Sequence, residues 1–182
     1  CARRLPRLRH PREMAAQRPD LAADPERYDQ ASGDQVVVAE LLGRRPAGRF
    51  EVVVRDDGGQ PVVIRNYPLL EDGRPMPTRY WLVSRDLRSR IGTLESTGGV
   101  KAAERACDPR EVAAAHVRYA AERDSALPAG HVGPRPSGGV GGTRQGVKCL
   151  HAHYAWFLAG GDDPVGRWVH GRLADSGADT GG

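Results

Sequence analysis

The sequence predicts an α+β domain in which a small antiparallel sheet of about three strands packs against four or five helices. Segments rich in valine and isoleucine lie in the first half of the chain, and a turn sequence joins two of them as a hairpin. Helical periodicity dominates the second half. Strands grouped first and helices afterwards favour this class over a parallel sheet with alternating helices.

We expect one domain over residues 33–174 of the 182-residue chain. Residues 1–32 are rich in Arg, Pro, Asp and Ala and lack a sustained hydrophobic period, so they predict a disordered basic tail. Residues 175–182 predict a disordered C-terminus. Because the chain begins with Cys1, we expect either a fragment of a longer protein or a natural start at Met14.

The first half predicts one helix and three strands. Asp34 is a suitable N-cap for a short helix that Gly43 ends. β-Branched and aromatic residues concentrate in three segments, which are Phe50–Arg55, Pro61–Asn66 and 78–83. The sequence Asp-Asp-Gly-Gly at 56–59 suits a tight turn, so we expect the first two segments to form a hairpin.

The second half predicts four helices. Apolar spacing and N-cap residues place them at 86–96, 108–125, 147–159 and 163–173. Gly98 and Gly99 are expected to break the chain after the first of these helices. Residues 128–146 contain three prolines and seven glycines, so they predict a flexible loop.

Composition argues against several classes of function. The net charge is +4, but arginines in the first twelve residues contribute +5, so the rest of the chain sums to −1. Aromatic residues make up only 5% of the chain, and nucleic-acid binding is therefore not expected. No apolar run reaches about eighteen residues and no secretory signal is visible. We therefore expect no membrane span. Three cysteines do not make a disulfide framework, so we expect a cytoplasmic protein with reduced thiols.

The densest group of chemically capable side chains follows the glycine-rich loop, at Lys148, Cys149, His151 and His153. On a helix over 147–159, at about 100° per residue, Cys149 and His153 share a face while His151 points away. The three are therefore not expected to bind one ion, and we predict neither a metal nor a cofactor. His151 is expected at the edge of the core and His153 in solvent.

Anion binding is the leading expectation for this segment. Free N–H groups at the start of the 147–159 helix, with Arg144 and Lys148, suit a phosphate or carboxylate. Gly141 and Gly146 have the spacing of a nucleotide-binding P-loop, but Val147 stands where that motif requires lysine. A nucleotide triphosphatase is therefore not expected.

The 108–125 helix adds a second group of candidates, because His116, Tyr119 and Arg123 lie along one flank of it. Glu95 is expected to have a structural role, accepting a hydrogen bond from a backbone amide or pairing with an arginine. The predicted ligand-binding set is Arg144, Lys148, Cys149, His151, His116, Tyr119 and Arg123.

Two functions remain open at this point. One is a non-enzymatic domain that binds a small anion or a protein partner where the 147–159 and 108–125 helices meet. The alternative is a hydrolase or transferase that uses a His-bound metal, or Cys149 as nucleophile with His116 or His151 as base. A thiol in the first turn of a helix lies at the positive end of the dipole, which favours the thiolate.

Six short strings in order resemble a known family. They are Leu42 to Gly48, Asp72 to Leu82, Leu94 to Gly98, Ala115 to Tyr119 with Glu122 to Asp124, Val147 to His151 and Asp163 to Gly166. Together they resemble the bacterial, mainly actinobacterial, domain of unknown function 501 family over about residues 34–170. The resemblance implies a bacterial cytoplasmic protein and no activity.

This chain departs from the pattern of that family at several positions. Family members often have cysteine in the first hairpin, where Asp56 and Asp57 stand here, and some have another where Ser84 and Arg85 stand. Trp156 replaces a frequent histidine. These departures argue against a thiolate-rich metal site in this member.

Overall fold

The computed structural model describes residues 32–76 and 78–178 and confirms the α+β class. Nearly all of the predicted N-terminal tail, and residues 179–182, lie outside the described residues. The elements are α1 (Ser32–Leu42), β1 (Phe50–Arg55), β2 (Pro61–Asn66), β3 (Tyr80–Leu82), α2 (Arg85–Ser96), α3 (Gly99–Ala106), α4 (Pro109–Ser125), a short 3₁₀ turn (Val140–Gly142), α5 (Leu150–Leu158) and α6 (Pro164–Ala178).

The three strands form one antiparallel sheet in the order β1-β2-β3. The predicted hairpin is confirmed: Phe50 pairs with Asn66 and Arg55 with Pro61, and the Asp56 side chain accepts a hydrogen bond from Gln60 N within the turn. The central strand β2 is buried over Val62 to Ile64. Successive side chains of a strand point to opposite faces of the sheet, and both faces are covered here.

The two faces of the sheet contact different helices. On one face, Val38 of α1 packs in a small cluster with Phe50, Ile64 and Val83. On the other face, Tyr80 and Leu82 join the main core with the helices of the second half. Helix α5 contacts β3, α2 and α6, and it is buried on nearly all sides. A helix that is apolar all round suits such a central position.

Several element boundaries differ from the predictions. Helix α3 was not predicted, because Gly98 and Gly99 were expected to break the chain; Gly98 instead adopts φ 87°, a left-handed turn that joins α2 to α3. Strand β3 is shorter than 78–83. Just before its start Arg79 N donates to the hydroxyl of Tyr119, while Arg79 O still accepts from Asn66 N. Helix α6 continues to Ala178, past the expected domain limit at 174.

The glycine- and proline-rich loop at 128–146 is attached to α4 by side-chain hydrogen bonds. The Arg123 guanidinium donates to the carbonyls of Ser137 (3.3 Å) and Gly138 (2.6 Å). His116 bonds the backbone at Val140 and at Gly146. The sequence did not predict these attachments, and the flexibility of the loop stays a prediction. Among the described residues, no helix has the length and apolar character needed to cross a membrane.

Candidate functional site

Cys149 occupies the N-cap of α5, and its backbone is extended (φ −151°, ψ 116°). The expected helix start at 147 is therefore wrong, since α5 begins at Leu150. This difference changes the side-chain geometry, because the 100° helical step does not apply between Cys149 and His151. The two side chains converge, with Cys149 Sγ 3.9 Å from His151 Nδ1.

Glu95, near the end of α2, completes the group. Its Oε1 accepts a hydrogen bond from Leu150 N at 2.6 Å, and its Oε2 lies 3.3 Å from His151 Nδ1. The predicted acceptance of a backbone amide by Glu95 is confirmed. The sulfur, nitrogen and oxygen atoms offered by Glu95, Cys149 and His151 all lie within 4.8 Å of one another.

The imidazole of His151 is oriented by a backbone carbonyl. Its Nε2 lies 3.1 Å from Arg88 O, and because a carbonyl only accepts, Nε2 carries a hydrogen. Nδ1 therefore faces both the thiol and the carboxylate. The contact with Cys149 raises the pKa of His151 to about 9, helped by the Arg88 carbonyl and the charge of Glu95 and opposed by burial. A positive charge is thus favoured at Nδ1.

Two backbone donors at and just before the start of α5 already have internal partners. Leu150 N donates to Glu95 and Val147 N donates to Glu104 Oε1 at 2.9 Å. The carboxylates of Glu95 and Glu104 thus occupy the position at the start of α5 where the sequence predicted a bound anion. Arg144 and Lys148 are exposed, and within the described part of the chain no hydrogen bond or ion pair joins either of them to this group.

The three predicted residues on α4 lie along one buried flank but do not join this group. His116 Nδ1 accepts from Val140 N at 3.0 Å, and its Nε2 donates to Gly146 O at 2.9 Å. The Tyr119 hydroxyl accepts from Arg79 N at 2.8 Å. Arg123 holds the 128–146 loop and contacts Asp124. Each of the three side chains thus has internal partners.

The prediction that His153 faces solvent is wrong. Its side chain is completely buried, and Nδ1 lies 2.7 Å from Asp163 Oδ2. Asp163 also accepts from Val165 N and Gly166 N, so the predicted N-cap of the last helix is confirmed. His153 is buried because α5 lies in the middle of the helical layer. A helix in that position has no polar face exposed to solvent, unlike an ordinary surface helix.

The family model described as "Protein of unknown function (DUF501)" matches residues 52–171. The chain belongs to the DUF501 family. The matched segment includes Glu95, Cys149 and His151, so their cluster is part of the DUF501 domain itself. No curated protein and no solved structure matches the chain.

Sequence reasoning identified Cys149 and His151 in this DUF501 domain but gave Glu95 no part in a site. The available signal was a charged residue at the inner edge of an otherwise apolar pattern in the 86–96 helix. A half-buried carboxylate with no basic residue three or four positions away in its helix needs a donor from elsewhere. Its two partners here come from a helix 55 residues later, which no local pattern indicates.

We predict that the DUF501 domain loses stability in acid through His116. Burial lowers the pKa of His116 below its ordinary value of 6.5, against a weaker opposing effect of the Gly146 carbonyl. The unfolded chain therefore binds this proton at a higher pH than the folded chain does. The free energy of unfolding should fall as the pH drops through about 6.5, and should level off below the lower pKa of the folded state.

Urea unfolding between about pH 7.5 and about pH 5 checks this prediction, with His116→Gln as the variant. The variant should unfold at a lower urea concentration throughout and should lose part of the decline in acid. His151 has the opposite effect: its raised pKa adds stability that is complete below about 6.5 and is lost as the pH rises toward 9. An acid decline of equal size in both proteins would contradict the assignment to His116.

Proposed function

We propose that this DUF501 member binds a divalent metal ion of the zinc class through Cys149 Sγ, His151 Nδ1 and the Glu95 carboxylate. The observation that supports the proposal is the convergence of one sulfur, one nitrogen and one oxygen donor within 4.8 Å. Zinc accepts all three donor types, whereas calcium and magnesium prefer oxygen alone. A mixed set containing a thiolate thus favours a borderline-soft metal.

The distances between the donors fit a tetrahedral ion. Ligand atoms at about 2.0–2.3 Å from zinc lie roughly 3.3–3.7 Å apart in a tetrahedron. The observed separations are 3.3 Å from His151 Nδ1 to Glu95 Oε2 and 3.9 Å from His151 Nδ1 to Cys149 Sγ. Small side-chain movements would therefore be enough to coordinate an ion.

The surroundings of the donors also support metal binding. Histidine ligands usually donate their second ring N–H to a carbonyl or carboxylate, and the Arg88 carbonyl takes that role for His151. Leu150 N orients the Glu95 carboxylate in the same way. Both orienting groups are backbone atoms, so their positions are fixed by α2 and by the start of α5.

The group leaves room for an exogenous ligand. The side chains of His151 and Glu95 are 28% and 27% exposed, and three protein ligands leave a fourth tetrahedral position free. Water or a small oxyanion suits that position. A metal with an open position can activate water or polarise a carbonyl or phosphoryl group, so the proposal favours the hydrolase or transferase alternative over simple anion binding at the helix start.

Metal titration tests the proposal. Chelator-treated protein should bind one equivalent of Zn²⁺ in calorimetry, and Co²⁺ should give a thiolate-to-metal charge-transfer band. At zinc concentrations about 100-fold above Kd, the ion should stabilise the fold by about 2.7 kcal/mol. Cys149→Ser and Glu95→Gln should each weaken zinc binding by about tenfold or more. Glutamine keeps an oxygen that accepts from Leu150 N, so its effect reports on ligation.

Cys107→Ser is the matched control. Cys107 is a half-buried thiol outside the group, and its replacement should leave zinc affinity and the cobalt band unchanged. Absence of stoichiometric binding in the unsubstituted protein would overturn the proposal. Equal affinity after Cys149→Ser or Glu95→Gln would also overturn it, because the bound ion would then lie elsewhere.

A thiol nucleophile is the second candidate, favoured by the contact between Cys149 and His151 at the start of α5. Cys107 provides an internal reference, because burial raises the pKa of its thiol. Alkylation by iodoacetamide near pH 6 should modify Cys149 faster than Cys107, and His151→Gln should slow the alkylation of Cys149 while leaving that of Cys107 unchanged. Equal rates for both thiols would count against this candidate.

A further inference from the structure

A groove of about 790 Å³ lies between α1 and the segment that leads into β1. It shares no lining residue with the group of Glu95, Cys149 and His151. Its volume falls within the range of about 300–1,000 Å³ that is usual for small-molecule sites. The groove thus has the size of a ligand site separate from the proposed metal site.

Three arginines of one short segment line this groove. The Arg44 guanidinium lies 5.1 Å from the centre of the Trp81 ring, and that of Arg49 lies 4.7 Å from the Tyr67 ring. Stacking on an aromatic ring holds a guanidinium in place while its N–H groups stay available. Among the described residues, Arg44, Arg45 and Arg49 form no ion pair. Their positive charge is therefore available to a ligand.

Part of the groove wall is apolar. Val36 of α1 is 59% exposed, which is unusual for a large aliphatic side chain in this structure, and Ala39 lies beside it. Pro46 and the edge of the buried Phe50 also line the groove. A ligand that covers these residues needs a hydrophobic body in addition to its charge.

The C-terminal end of α1 faces the groove, and its last carbonyl groups already accept hydrogen bonds from other residues. These carbonyls therefore do not repel an anion. Arg85 donates to Glu40 O at 2.6 Å, Arg88 donates to Leu41 O at 3.1 Å, and Arg44 N donates to Ala39 O at 3.1 Å. The negative end of the helix dipole is thus offset by two further guanidinium groups.

Two carboxylates, Glu40 and Glu71, also line the groove, so three arginines and two glutamates leave one net positive charge. This balance suits a single anionic group better than a polyphosphate. The carboxylates can accept hydrogen bonds from ligand hydroxyl groups. A guanidinium binds phosphate oxygens in a bidentate manner, which gives phosphate an advantage over a simple halide.

We propose that this groove binds an organic monophosphate with an apolar ring, of the size and polarity of a nucleoside monophosphate. The phosphate would lie among Arg44, Arg45 and Arg49, with the ring against Val36 and Pro46 and the hydroxyl groups toward Glu40 and Glu71. This inference does not depend on the metal site, because the two share no residue.

Fluorescence anisotropy with 1,N6-etheno-AMP, whose label lies on the base and leaves the phosphate and the ribose hydroxyl groups free, tests the inference. Binding should saturate with a Kd below about 1 mM. Unlabelled AMP should compete, whereas adenosine and inorganic phosphate at the same concentration should not, because each lacks half of the contacts. Arg45→Ala should weaken binding by about tenfold or more, as expected for loss of a charged hydrogen bond. Val36→Asp should weaken binding by placing a like charge beside the ligand.

Arg105→Ala is the matched control, since Arg105 is exposed on α3 and is not part of the groove. It removes the same charge and should leave binding unchanged. Absence of saturable binding, equal loss in the Arg105 and Arg45 variants, or full competition by inorganic phosphate alone would each overturn the inference. Chelator treatment should leave the probe bound, and this result separates the groove from the proposed metal site.

Discussion

Asp163→Ala should lower the free energy of unfolding by about 3–5 kcal/mol. Asp163 is completely buried and bonds two elements at once. Its Oδ1 accepts from Val165 N (2.9 Å) and Gly166 N (3.0 Å) at the start of α6, and its Oδ2 contacts His153 Nδ1 at 2.7 Å. The substitution removes the cap of one helix and leaves the buried imidazole of another without its carboxylate.

Asp162→Ala is the matched control, because it changes the preceding residue and removes the same charge. Asp162 is 64% exposed and pairs with Arg118 and Arg167 at the surface, where ion pairs contribute about 1 kcal/mol or less. Urea unfolding monitored by circular dichroism provides the comparison. Similar losses in the two variants would contradict the role assigned to Asp163.

Gly166→Ala should destabilise the domain by about 1–3 kcal/mol, although alanine normally favours a helix. Gly166 lies in the first turn of α6, where that helix approaches α5. A methyl group there would lie 2.9 Å from His153 O and would overlap the Phe157 side chain. Because the obstruction includes backbone of a buried helix, the two helices must move apart to accommodate it.

Gly171→Ala, in the same helix, should have the opposite effect. A methyl group at Gly171 would meet nothing within 4 Å, so only the helix propensity changes and the domain should gain about 0.5–1 kcal/mol. Thermal unfolding of both variants and of the unsubstituted protein tests the predictions: the Tm should fall for Gly166→Ala and rise for Gly171→Ala. If Gly166→Ala also stabilised the protein, the close approach of α5 and α6 would be wrong.

Local sequence signals predicted most elements of the fold. The turn at 56–59 fixed the hairpin register, since Asp56 accepts from Gln60 N within it. Asp108 and Asp163 each cap the helix that was expected after them. Helix α3 was not predicted, because a pair of glycines normally marks the end of a helix. Here Gly98 forms a left-handed turn, and the next helix begins directly after it.

The candidate site was only half predictable. Cys149 and His151 stand out in the sequence, but a helical interpretation from 147 separated their side chains. The actual helix start depends on Glu95 and Glu104, whose carboxylates accept from Leu150 N and Val147 N. These acids belong to α2 and α3, so a tertiary contact decides where α5 begins and therefore where Cys149 points.

The sequence by itself determined the α+β class, the hairpin, the N-caps at Asp108 and Asp163 and the family, because each depends on neighbours in the chain or on short strings in order. The N-cap expected at Asp34 is wrong, since α1 begins at Ser32. Only the tertiary structure decided which polar side chains form hydrogen bonds within the fold and which can bind a ligand. His116, Arg123 and His153 are bonded within the fold. Glu95 meets Cys149 and His151 because α2 packs on α5, and such a contact between distant segments leaves no local pattern in a single chain.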